Sequence, residues 1–233
     1  YTFHLADGVK WHDGKPFSSA DVKFSLENLT KVFHPEGSVM SDKVASVEAP
    51  DPKTVVITMS KAYEPFLKFL ALRAYILAKH IYEKGDVREN PANVKPIGTG
   101  PYRFVEWQRG SHVTLEKNPN YFVKGMPYLD RFVYRVMPDP AARVLALETG
   151  EVDYLTHDVA SSTVPELRKN KDVTVSGKGV ESLVSICQVM LNHNRPPLNN
   201  VKVRQALSHA VDRQFVVDRA ALGLFNVANG PIN

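Results

Sequence analysis

The segment from Leu191 to Arg213 constrains the fold most, because it demands two kinds of backbone in quick succession. Leu183 to Leu191 is an apolar run of strand length, and Pro196-Pro197 turns the corner after it. Val201 to Leu222 then reads as a capped amphipathic helix, with Asp212 capping a second helix after a break and Gly223 terminating it. Such a chain belongs among the mixed α and β folds.

The same mixture runs through the rest of the sequence. Tyr1, Phe3 and Leu5 alternate with polar positions, which predicts a strand, and Asp13-Gly14 makes a turn before Lys15-Pro16. A helix starts after Ser18, a good cap, with Asp21 three positions on as the capping-box acid and Phe17 placed to staple onto Val22. Val22, Leu26, Leu29 and Phe33 recur at helical spacing as one buried face, and His34 to Ser38 ends the helix. From Val44 the period falls to two. Pro50-Asp51-Pro52 is a turn and Val55, Ile57 and Met59 alternate after it, so this is a hairpin.

Helix resumes at Pro65, in a first-turn position that proline tolerates, and Ala74 to Ala78 reads as a further strand. The polar connection Glu83 to Lys95, broken by Pro91, is the best candidate boundary. A second hairpin is expected from Tyr102 to Trp107 and His112 to Lys117 about Arg109-Gly110. Asp139-Pro140 starts a helix that Gly150 ends, followed by a strand at Val152 to Leu155 and a helical stretch from Pro165 to Lys169. Antiparallel hairpins dominate over alternating units, and neither repeats nor low-complexity tracts occur.

A length of 233 residues allows one large or two modest domains. No apolar run is long enough to span a bilayer, and no cationic, apolar leader stands at the start. Opening inside a strand pattern at Tyr1 and stopping at Gly230 to Asn233 just after a helix suggests a piece of something longer. The net charge of +4 comes from Lys and Arg dispersed along the chain, with no basic run interleaved with aromatics, so a nucleic-acid partner is not expected. The single Cys187 has no disulfide partner and reads as a small core residue.

Catalytic templates fail on spacing. Gly98-Thr-Gly100 lacks the later glycine of a dinucleotide loop, and Gly177-Lys-Gly179 lacks the upstream glycine and the hydroxyl residue of a phosphate loop. The eight histidines include no His-Glu-x-x-His, so neither a built-in metal site nor a cofactor is expected. His4 and His12 can approach across a turn or stand apart as separate imidazoles. Glu148, Glu151 and Asp153 lie close together and leave a glycosidase-type carboxylate pair as an alternative to solvated helix-end acids.

Four blocks carry a family resemblance. They are Tyr1 to Val22 with its Asp-Gly-Val-Lys-Trp-His-Asp-Gly core, Pro96-Ile-Gly-Thr-Gly-Pro-Tyr102, Pro138 to Asp153, and Leu191 to Arg213 with Val-Arg-Gln-Ala-Leu and Ala-Val-Asp-Arg. In this order they resemble family 5 of the extracellular solute-binding proteins, which serve peptide and nickel ABC transporters. The resemblance implies a type II periplasmic-binding-protein-like, two-lobed fold of which this chain is a part, with 1–95 in the smaller lobe, 96–190 in the main lobe and 191–233 opening the C-terminal lobe. It also implies a non-enzymatic role: capture of di- or oligopeptides, or of a nickel chelate or another small solute, and delivery to an inner-membrane permease. The expected location is the periplasm, or the outer face of a Gram-positive membrane.

By position in the family pattern, Glu36 in the His34 to Ser38 loop, Arg73 and Tyr75 on a strand, Thr99, and Asn192 are the expected ligand-binding residues. Gly98, Gly100, Pro101 and Tyr102 form the expected crossing segment between lobes, where two glycines beside prolines suit a bend. The alternatives are a purely structural turn at 98–102 and surface roles for Arg73 and Tyr75. Surfaces normally covered by missing segments leave a dimer as one possible state of this piece.

Overall fold

The computed structural model describes residues 1–35, 37, 42–156, 159–178 and 188–228. Glu36, Cys187 and most of the apolar run Leu183 to Leu191 lie outside the described residues. The chain divides into two compact units, Tyr1–Val136 and Met137–Asn233.

The first unit is built on two antiparallel sheets. β1 (Thr2–His4) pairs with β3 (Thr54–Met59), which pairs in turn with β2 (Val44–Asp51), giving the order β1-β3-β2. The β2–β3 turn falls at Pro52-Lys53, where the Asp51 carboxylate accepts the Lys53 amide at 2.7 Å. Period-two apolar residues put Val47, Val55 and Ile57 on one face, and Phe66 closes over them; none of the four is more than 5 % exposed. Phe3, Leu5, Val22, Leu26, Met59 and Leu70 pack around that cluster.

Ser18 and Asp21 start α1 (Ser19–Phe24) as the capping pattern requires. The Asp21 carboxylate accepts the Ser18 amide at 2.9 Å and the Ser18 hydroxyl at 3.2 Å, and its other oxygen accepts the Lys79 amide at 2.9 Å. The helix continues through a π-helical stretch, Ser25–Thr30, into α2 (Lys31–Phe33). That stretch breaks the expected apolar face. Its wider turn shifts the register, so Leu29 is buried while Phe33 is 40 % exposed under the Arg88 guanidinium, 5.3 Å from the ring centroid.

Pro65 stands just before α3 (Phe66–Arg73). Ala74 to Ala78, expected as a strand, is extended but has no ladder partner. The Leu77 amide donates to the Ser25 hydroxyl at 2.9 Å, and that hydroxyl donates back to the Leu77 carbonyl at 3.2 Å, so a buried side chain takes the place of a neighbouring strand. α4 (Lys79–Tyr82) follows, and the Glu83 to Lys95 connection folds into two 3-10 turns, Val87–Glu89 and Pro91–Asn93, capped by Asp86 and Asn90.

The second sheet has the order β4-β5-β6, from β4 (Tyr102–Gln108), β5 (His112–Lys117) and β6 (Arg131–Arg135). Gly110 turns the β4–β5 hairpin at φ +75°, where a side chain would be strained. Sequence reading missed β6, because Phe132-Val133-Tyr134 has no alternation and the strand is exposed along its whole length.

In the second unit the Asp139 carboxylate caps α5 (Pro140–Glu148) through the Ala142 amide at 2.7 Å. Gly150, at φ +72°, closes it in a Schellman arrangement: Gly150 N–H reaches the Leu147 carbonyl and Glu151 N–H the Ala146 carbonyl. Val152 to Leu155, expected as a strand, has none of that ladder; the Val152 amide is drawn back onto Ala146 by the same motif. α6 (Val164–Leu167), α7 (Val201–Ala210) and α8 (Arg213–Ala220) complete the described elements, with Asp212 capping α8 through the Phe215 amide at 2.9 Å and Gly223 at φ +70° after it.

Candidate functional site

The turn from Val9 to Phe17 folds back on itself, Trp11 N–H to Lys15 O and Phe17 N–H to Val9 O, and carries Trp11, 3 % exposed, into the unit. Trp11 meets Phe17 and His80 edge-on, at centroid distances of 5.7 Å and 6.4 Å. Beside it the Asp13 carboxylate pairs with His80 Nε2 at 2.7 Å. Burial pulls the Asp13 pKa upward, but the bond to His80, the Lys15 amide and the nearby positive charges outweigh it, so the carboxyl sits below its ordinary value of 3.8.

A depressed carboxylate contributes stability that is complete above its unfolded pKa and lost as pH falls through its folded value. Asp13→Asn is therefore expected to cost up to about 1 kcal/mol at neutral pH. As pH falls through the folded value, which lies below 3.8, the difference from wild type should shrink and then vanish, because below that value the native carboxyl is protonated as well. Denaturant midpoints of both proteins across pH 3–7 check this; a gap that persists unchanged into acid would refute it.

The same turn anchors the segment Gly98 to Tyr102. His12 makes three bonds to it: its amide donates to the Gly98 carbonyl at 2.9 Å, its Nδ1 accepts the Gly98 amide at 3.1 Å, and its Nε2 meets the Gly100 carbonyl at 3.0 Å. Asn118, 6 % exposed just after β5, donates its side-chain amide to the same Gly100 carbonyl at 3.0 Å and its backbone amide to the Pro101 carbonyl at 2.8 Å. Thr99, between the two pinned glycines, is half-buried and makes no hydrogen bond of its own among the described residues. Neither Gly98 nor Gly100 has a positive φ, and a Cβ on Gly100 would meet nothing within 4 Å. Backbone strain is thus not what calls for glycine in this segment.

Arg73 and Tyr75 lie elsewhere in the same unit. Arg73 is the exposed last residue of α3 rather than a strand residue, and Tyr75 is 73 % exposed in the extended segment after it. Among the described residues no hydrogen bond or ion pair joins either to Gly98–Tyr102. Asn192 belongs to the second unit, exposed, with its side-chain oxygen accepting the Asn194 amide at 3.0 Å. Glu148, Glu151 and Asp153 are exposed around the C-terminal end of α5.

Asn118 escaped the sequence reading, which took His12 only as a neighbour of His4 or a separate imidazole. His4 lies in β1 opposite Thr54, and His12 turns instead to glycines more than eighty residues away in the chain. Among the described residues no group of three His, Cys, Asp or Glu side chains converges on a metal-sized site, and no helix is long and apolar enough to cross a membrane.

Mixed helix and sheet in this arrangement is type II periplasmic-binding-protein-like. Two solved structures match it closely: the oligopeptide-binding protein AppA of Bacillus subtilis in complex with a nonapeptide (TM-score 0.80, 28% identity, 99% of this chain and 46% of that one), and NikZ of Campylobacter jejuni in complex with Ni(L-His) (TM-score 0.79, 30% identity, 99% and 45%). In sequence, AppA of Bacillus subtilis (strain 168) is 31% identical over 236 residues, 99% of this chain and 42% of its own. The chain spans less than half the length of these relatives. The model of the bacterial extracellular solute-binding proteins, family 5 Middle, matches residues 1–233, and the chain belongs to that family of ABC-transporter solute-binding proteins.

Proposed function

We propose that the full-length protein captures peptides, closes its lobes around them and delivers them to a membrane permease. The observation that carries this reading is the match of nearly the whole chain to a nonapeptide-bound oligopeptide-binding protein. In this reading 1–95 belongs to the smaller lobe, 96–190 to the main lobe and 191–233 to the C-terminal lobe, with Gly98, Gly100, Pro101 and Tyr102 in the crossing segment. The protein works in the periplasm, or anchored outside a Gram-positive membrane.

Ligand contacts follow from side-chain chemistry. Arg73 offers a planar fork that fits a peptide carboxylate, Tyr75 a ring and hydroxyl, and Thr99 a hydroxyl with free backbone groups on a held segment. Glu36 and Asn192 supply an anion for a peptide amine and an amide for peptide bonds. Closure needs no chemistry: a ligand that touches both lobes stabilises the shut form by its differential affinity for it.

Similarity to the Ni(L-His)-bound NikZ supports a second reading, a metal chelate as solute. Thermal shifts of the full-length protein against di-, tri- and longer peptides, with nickel–histidine in parallel, separate the two. A peptide at a hundred times its Kd should add about 2.7 kcal/mol of stability, readable as several degrees. A response to nickel–histidine alone would transfer the assignment to chelates, and no response to either would end the peptide reading.

A further inference from the structure

We infer that His12 is the positioning residue for the ligand-facing segment Gly98–Pro101, acting as a neutral imidazole with its proton on Nε2. The inference rests on the solute-binding reading above for its consequence, though not for its geometry. Nδ1 faces the Gly98 N–H, which only donates, so Nδ1 must present a lone pair. Nε2 faces the Gly100 carbonyl, which only accepts, so Nε2 must carry the proton. The two partners together define one tautomer.

The His12 amide also bonds the Gly98 carbonyl, so the residue pairs with Gly98 as an opposing strand would, its ring standing in for its own carbonyl. Asn118 donates to the same Gly100 oxygen and holds Pro101 through its backbone amide, while its own side-chain oxygen is occupied by the Asn120 amide at 3.0 Å. The anchors are themselves held: Trp11 beside His12 is buried, and Asp13 after it is tied to His80. Flanks pinned at Gly98 and Gly100 leave Thr99 presented in one conformation with its polar groups unused. Holding a binding segment in its bound shape reduces the ordering cost of taking a ligand.

The full-length protein tests this in two independent arms. In the first, nitrogen NMR of the ligand-free protein should show His12 with a bare Nδ1 and a protonated Nε2, and His12→Ala should speed amide exchange at Gly98. A ring protonated on Nδ1, or unchanged exchange, would overturn the clamp. In the second, peptide affinity of His12→Ala should fall about tenfold. His12→Asn, which returns an acceptor near the Nδ1 position, and His12→Gln, which returns a donor near Nε2, should each recover part of it. Should the alanine variant fail to fold, the two amide variants still decide, since each keeps one bond and loses the other.

Faster exchange with unaltered peptide affinity would leave His12 structural and overturn its positioning role. A wild-type protein that binds nothing in the ligand panel would overturn the solute-binding reading and that role together, while the first arm still decides the clamp.

Discussion

Phe66→Ala is expected to destabilise the first unit by about 3–5 kcal/mol. The ring is 2 % exposed, lies on the sheet residues Val47, Val55 and Ile57, and has Tyr1 tilted against it at 5.5 Å. A cavity of about 150 Å³ already borders Phe66, Phe69 and Leu70. Truncation would enlarge that space, and strands held by β1–β3–β2 pairing cannot collapse to fill it. Against a total stability of about 5–15 kcal/mol, the loss decides whether the unit stays folded at elevated temperature. Urea midpoints read the difference. Leu67, one position along α3 and 47 % exposed, is the control, and its alanine variant should stay within about 0.5 kcal/mol of wild type. Equal effects at the two positions would mean that α3 does not close the core.

Asp21→Ala is the second large effect, about 2–3 kcal/mol. This carboxylate, 5 % exposed, accepts the Ser18 amide and hydroxyl on one oxygen and the Lys79 amide on the other. Alanine would strip the first turn of α1 of its reciprocal bond and leave the entry to α4 without an acceptor. Asp21→Asn keeps one oxygen and should recover roughly half of the loss. Amide exchange locates the damage: Ser18 and Lys79 should both speed up in the alanine variant. Protection unchanged at Lys79 would show that the bridge between the two helices contributes nothing.

The elements legible in the sequence share one property, that their signal lies within a few residues. Ser18 with Asp21, Gly110, Asp139-Pro140, Gly150, and Asp212 with Gly223 each set a local conformation through a cap, a fixed φ or a left-handed glycine, and each appears where expected. The turn expected over Pro50 to Pro52 falls at Pro52-Lys53, with Pro50 and Asp51 in β2. The misread elements depend on distant partners. Ala74 to Ala78 has the composition of a strand, but Ser25 satisfies its backbone. β6 has no period of its own and exists because β5 offers it a ladder from His112 to Glu116. Phe33 left the buried face because a π-helical stretch altered the angle between turns.

For the site the division is similar. The Gly98 to Tyr102 block and the family to which the whole chain belongs were readable as sequence, since the blocks are contiguous and ordered. Arg73 was placed on a strand by its position in the family pattern and is instead the last residue of α3, directly before the extended stretch that begins at Ala74. What holds Gly98 to Pro101 was invisible, because His12 and Asn118 reach it from turns 86 and 18 residues away. Local torsional preferences and hydrophobic period are written into neighbouring residues, so the sequence by itself determined the caps, the hairpins and the fold class. Hydrogen bonds between remote groups form only after packing has brought them together, so the tertiary structure alone decided which histidine clamps the segment and which extended stretches become strands.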